Sequence, residues 1–180
     1  AAADGHKSML AGDGGDELFA GNERYAKQKL FEFYLKLPPA ARNLTEASVL
    51  SAPLFDKIPP FAKLQSYIKQ ARIPLPDRLE TYNFFSRNRP ADVIHAELVQ
   101  QLDLDGPLDL LRDVYQQPPR ADSLHRMLWL DWKQTLADND LRKVTTMCDL
   151  AGVDVHYPML APELVELART LPSGLLLPGQ

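Results

Sequence analysis

Apolar residues recur along most of this chain at intervals of three and four, the spacing that gathers them on one face of a helix. In residues 16–37, "DELFAGNERYAKQKLFEFYLKL", the series is Leu18, Phe19, Tyr25, Leu30, Phe33, Tyr34 and Leu37, which predicts one helix. Pro38 and Pro39 end it, because proline lacks a donor and biases its predecessor away from helix. Shorter helices are expected over 40–50, 61–71 and 77–88, then over 91–102 opened by Pro90, and over 108–116 after the "LDGP" turn. The longest periodic stretch, 121–151, predicts two helices meeting near "ADND", the first capped by Ser123 or Asp122 and the second ended by Gly152. A last helix begins at Pro162-Glu163, ends at Pro172, and buries Leu164, Leu167, Ala168 and Leu171. Only two segments read as strands: "KSMLA" (7–11), as a short buried strand, and the weakly alternating "VDVHYP" (153–158). Two short strands do not make an independently stable sheet, so partners for 7–11 are expected in a segment outside these residues.

Composition narrows this picture. A chain of 180 residues with 45% hydrophobic content suits one domain with a real core, and the pattern makes it mainly α. A net charge of −4 gives no basic footprint for nucleic acid or a membrane surface. No apolar run approaches membrane-spanning length, and "AAADGHKS" lacks a signal-peptide core. The single cysteine, Cys148, lies in a helical apolar pattern and reads as a core thiol, which fits a cytoplasmic setting.

Chemistry concentrates in "MLAGDGGDELFAG" (9–21), where an apolar run meets glycines and three carboxylates, Asp13, Asp16 and Glu17. A structural account is available: Asp13 or Asp16 caps a helix, and Glu17 favours the positive end of its dipole. Capping, however, uses one acid. A glycine turn at a strand end also brings backbone N–H groups to a phosphate. Carboxylates in that turn would repel the phosphate unless a hard cation such as Mg²⁺ stood between them.

The segment "LAGDGGDELFAGNERY" (10–25) resembles the SG(D/E)G(S/G)DELF-G-Y motif of the asparagine synthase family. "DLRKVTTMCDLAGVDVHYPMLAPELVELARTLP" (140–172) resembles that family's later L-x-K-x-D-R-x-S-M-A … E-x-R-x-P-F-L-D … L-V-E-x-A … L-P block. The resemblance implies part of an α/β adenine-nucleotide α-hydrolase-like synthetase domain over 1–180. Such a domain is ATP-dependent: it activates a small carboxylic acid as an acyl-adenylate, which ammonia from a glutaminase domain then converts to an amide. By position, it implies that Gly12, Asp13 and Gly14 face ATP or pyrophosphate, that Asp13 deprotonates the incoming ammonium, and that Asp16 holds Mg²⁺. Glu17 matches the motif with no assigned role.

The matching blocks carry substitutions. Ala11 replaces the serine before Gly12, Thr145 and Thr146 stand where the family pattern has Asp-Arg, His156 replaces Arg, and Ala161 replaces the Asp of "PFLD". Threonine cannot grip a carboxylate bidentately as guanidinium does, so aspartate is disfavoured as the acceptor and another small or saccharide-linked acid stays open. Trp129 and Trp132 near His125 read as core and rim, His95 and His125 as solvent-facing or packed, and Lys27, Lys29 and Lys36 as a solvated helix face. Lys143 aligns with a family lysine and is given no catalytic role. The rival to an enzyme is a non-catalytic helical interaction module of the same fold. The family's SGGxDS pyrophosphate loop does not occur in these residues, and its catalytic lysine would fall past Gln180. The 180 residues alone are therefore expected to make no acyl-adenylate. Pyrophosphate release above background, with ATP, Mg²⁺ and a panel of acids, would count against that expectation.

Overall fold

The first long periodic stretch is interrupted rather than continuous. The computed structural model describes residues 2–50, 59–83 and 87–178. In it α1 (Gly15–Phe19) ends at Ala20, which is left-handed at φ 56°, and α2 (Glu23–Leu35) starts after Gly21 and Asn22. Asn22 makes the restart: its side-chain oxygen accepts the Arg24 N–H at 3.0 Å and its carbonyl accepts the Tyr25 N–H at 3.1 Å. Apolar spacing alone does not register such a break, and the buried stripe shifts with it. Tyr25, Gln28, Phe31 and Tyr34 are buried, whereas Leu30, Phe33 and Leu37 are exposed.

The remaining helices are α3 (Pro39–Leu50), α4 (Pro59–Ala71), α5 (Asp77–Glu80), α6 (Ala96–Val99), α7 (Gly106–Gln116), α8 (Ser123–Asp131), α9 (Leu141–Ala151), α10 (Pro162–Thr170) and α11 (Ser173–Leu176). The helix expected over 77–88 is realised as α5, and 84–86 lie outside the described residues. The one expected over 91–102 divides into a 3₁₀ turn, Pro90–Asp92, and α6, because His95 between them is extended at ψ 137°. Helices α8 and α9 do not meet at a loop. A π-helical segment, Trp132–Asp140, joins them, and the Leu141 N–H reaches back to the Leu136 carbonyl. Asp122 caps α8 and Gly152 ends α9, in line with the sequence. In α10, Ala168 is buried but Leu167 is 54% exposed, against the expected stripe. No described helix is long and apolar enough to cross a membrane.

The chain forms two compact units, Lys27–Arg112 and Ala1–Ala26 with Asp113–Gln180. In the Lys27–Arg112 unit, Phe31, Tyr34, Ile68 and Ala71 form an apolar cluster, with Phe31 and Tyr67 stacked at 5.0 Å between centroids. Arg78 is buried there. Its guanidinium lies over the Phe31 ring and donates to the carbonyls of Ile73 (2.8 Å) and Ala71 (3.3 Å), which trail from the end of α4. Arg112 grips Asp77 with two donors, at 3.0 and 2.6 Å, and these bonds hold the Asp77 carboxyl below the usual carboxylate range.

In the other unit, β1 (Ser8–Leu10) pairs in parallel with β2 (Asp154–His156), Met9 opposite Val155. The partner of 7–11 is thus in this chain, contrary to expectation. Nor is β1 buried: Leu10 is 72% exposed, because an apolar run reports what could be covered and not what is. Cys148 is a buried thiol 3.5 Å from the Met9 sulfur, as its apolar pattern implied.

The centre of this unit is Asp131 at the end of α8. Its carboxylate is buried and receives the Tyr25 hydroxyl, the Arg24 guanidinium and the Thr135 hydroxyl, the last at 3.2 Å. Burial pushes the Tyr25 phenol up to about 12, so it remains a donor at neutral pH. Tyr25→Phe should cost about 1.5–3 kcal/mol, the range for a hydrogen bond to a charged group. Thermal or urea unfolding at neutral pH measures it; an unchanged midpoint would mean that Arg24 and Thr135 satisfy Asp131 without the phenol.

Candidate functional site

The acidic turn follows directly from the end of β1. The Ala11 N–H donates to the His156 carbonyl at 2.9 Å, closing the strand pair, and the chain then turns through Gly12 and Asp13 into α1. Gly14 begins that helix at φ 95°, a left-handed conformation that favours glycine. A Cβ there would also lie 2.2 Å from Leu160 Cδ2 and 3.7 Å from Leu136 Cδ2. Leu160 belongs to the 3₁₀ turn Pro158–Leu160 after β2, so the two sequence blocks singled out above meet at Gly14.

The acids of the turn are not used as caps. Gly14 is the N-cap of α1 and supplies no side-chain hydrogen bond, which corrects the capping account for Asp13 and Asp16. Asp13 is half-buried, Asp16 is exposed in the first turn, and neither makes a hydrogen bond or ion pair among the described residues. Gly21 makes room for Asp16, whose Oδ1 lies 2.3 Å from where a Gly21 Cβ would be. Glu17 is half-buried, and burial, aided by the Asp16 and Asp140 charges, pushes its carboxyl up. No group of three or more His, Cys, Asp or Glu among the described residues could hold a metal by itself. The donors present are hard carboxylate oxygens without a cage. That suits Mg²⁺, which keeps several waters and is held by one or two carboxylates plus substrate phosphates.

Two of the substituted positions adjoin this turn through the strand pair, Ala11 directly before Gly12 and His156 across from it. His156 pairs with Leu10 in the last register position, and Ala161 is the N-cap of α10 without a side-chain bond. Thr145 is half-buried and its hydroxyl lies 2.8 Å from the Tyr157 hydroxyl, whereas Thr146 is exposed. Lys143 pairs with Asp140 at 2.8 Å, and His95 is exposed.

Beside the turn lies a cleft of about 530 Å³ that the sequence reading missed. Glu17 and Leu18 of α1, Trp129 of α8, Trp132, Val165 and Arg169 of α10, and the loop Pro118–Ala121 line it. Both tryptophans are half-buried on its wall, not packed in the core. The one sequence signal was the aromatic pair near His125, whose spacing fits a core stripe equally well.

His125 links this wall together. Its Nδ1 lies 2.9 Å from Asp122 Oδ1 and its Nε2 3.0 Å from the Leu171 carbonyl. Both neighbours are acceptors, so a ring N–H at either nitrogen finds a partner. Burial raises the Asp122 carboxyl, but the His125 backbone N–H, Ser173 and the His125 ring outweigh it, and the net direction is downward. A lowered carboxyl contributes stability that is full above its unfolded value and is lost as pH falls through its folded one. Asp122→Ala should cost about 1 kcal/mol at pH 7 through loss of the cap. Asp122→Asn should keep the cap and flatten the acid limb of a melting-temperature profile below the ordinary aspartate range. An Asn variant with the parent's acid limb would show that the charge contributes nothing.

A family model described as asparagine synthase matches residues 1–180. Comparison with curated proteins and with solved structures finds no match.

Proposed function

The chain belongs to the asparagine synthase family, a ligase-type enzyme family, and from that premise we propose that it is the synthetase portion of an ATP-consuming, glutamine-dependent amidotransferase. The domain over 1–180 would then be part of an α/β adenine-nucleotide α-hydrolase-like fold, with a glutaminase domain supplying ammonia. The observation that carries this reading is the turn itself. Asp13, in the turn after β1, and Asp16, in the first turn of α1, have no side-chain partner among the described residues and cap nothing, and they stand where the family motif places its acids. Surface carboxylates without partners are common, but two within one glycine turn between paired strands and a helix are suited to a ligand.

On this reading a small carboxylic acid attacks the α-phosphorus of ATP, forming the acyl-adenylate and releasing pyrophosphate. Ammonia then adds to the acyl carbon and AMP leaves, giving the amide. Asp16 would hold Mg²⁺, which supplies charge neutralisation for the phosphates. Gly12 is exposed with nothing within 4 Å of where a Cβ would be, so the backbone there can approach ATP closely, whereas the space at Gly14 is taken by Leu160. Asp13 accepts the proton that turns ammonium into the nucleophile. The loss of arginine at Thr146 and His156 favours an acceptor other than aspartate, since neither residue offers a bidentate fork.

Pyrophosphate exchange, measured in a protein that joins this chain to the remainder of such a synthetase domain, tests the two acids separately. Asp16→Asn removes a charge from the cation's ligands and should abolish exchange. Asp13→Asn should spare exchange and slow amide formation about 10²–10⁴-fold, the contribution of a positioned base. Near-normal turnover in both variants would return the turn to a structural role and favour the non-catalytic module.

A further inference from the structure

We propose that the cleft walled by Trp129 and Trp132 is a binding site for a planar aromatic carboxylate. It goes beyond the adenylation reading, and its test needs neither ATP nor turnover. The volume of about 530 Å³ lies within the range of small-molecule sites and admits a fused two-ring acid. The indoles supply flat π surfaces, which select a flat ring over a flexible chain. They are also held in place. Trp129 donates its Nε1–H to Gln117 at 3.3 Å and carries Lys133 over its ring at 4.6 Å, while Trp132 opens the π-helical segment.

The charge of the lining selects an anion. Two guanidiniums, those of Arg120 and Arg169, and the His125 ring line the cleft with one carboxylate, Glu17. Arg169 is already paired with Glu166, and His125 is committed to Asp122 and Leu171. Arg120 is not committed: it makes no ion pair or hydrogen bond among the described residues. Its backbone is left-handed at φ 60°, a conformation that disfavours an arginine and costs glycine nothing. Glycine is thus the residue that stability alone would select at 120. A guanidinium without a partner among the described residues, on the lining of an aromatic cleft, offers the planar two-donor fork that fits a carboxylate.

Trp129 and Trp132 are the only tryptophans in the chain, so its two indole N–H resonances both report this cleft. Titration of the ¹⁵N-labelled chain with 2-naphthoate should move both resonances saturably. The neutral isostere 2-naphthamide should bind about tenfold more weakly, the loss of one charge-assisted hydrogen bond. Arg120→Gly should weaken naphthoate about tenfold while leaving the melting temperature equal or higher, since it removes the left-handed arginine. Stationary indole resonances, equal affinity for acid and amide, or full naphthoate affinity in Arg120→Gly would each overturn the site.

Discussion

Asp131 is a carboxylate taken out of water, and the Ala1–Ala26 and Asp113–Gln180 unit is arranged around satisfying it. An unpaired buried charge costs several kcal/mol, so its donors are obligatory. Tyr25 and Arg24 come from the first turn of α2, and Thr135 from the π-helical segment. These bonds fix where α2 restarts after the Ala20-Gly21 break. They also fix the end of α8, and with it the position of the tryptophans on either side of Asp131. Arg78 follows the same rule in the other unit, where a buried guanidinium is matched by carbonyls, Gln28 and an aromatic face. Both cases place a charge where it ties separate helices together.

The acidic turn inherits its geometry from that frame. Its glycine at 14 is required twice, by a left-handed backbone and by the approach of Leu160. Leu136, which also packs there, lies in the π-helical segment that begins beside Asp131. The turn is therefore held from beneath by apolar contacts, while the Asp13 and Asp16 side chains have no partner among the described residues. A catalytic or binding constellation needs that combination of fixed backbone and free side chains.

The cleft and the turn share α1. Leu18 and Glu17 face the aromatic wall, and Asp16, one residue earlier, is exposed beside Gly21. Because α1 is only five residues long, neighbouring side chains serve different surfaces. Glu17 illustrates the consequence: it carries the same side chain type as any surface glutamate, but burial and the nearby Asp16 and Asp140 charges raise its carboxyl.

Much of this was legible in the linear sequence, because it depends on neighbours along the chain. The mainly helical content, the Asp122 cap, the Gly152 stop and the proline boundaries follow from local hydrogen bonding and φ restriction. The acidic glycine turn was visible for the same reason, as was the buried Cys148. Contacts between distant residues decided the rest. Pairing β1 with β2 joins residues about 146 apart, and nothing in "KSMLA" names "DVH" as its partner. The bond from Tyr25 to Asp131 spans 106 residues. The spacing of Trp129 and Trp132 fits a core stripe and a cleft wall alike, and only the chain packed opposite determined which was built. Periodicity measures which face a helix can bury; the tertiary structure supplies what that face meets.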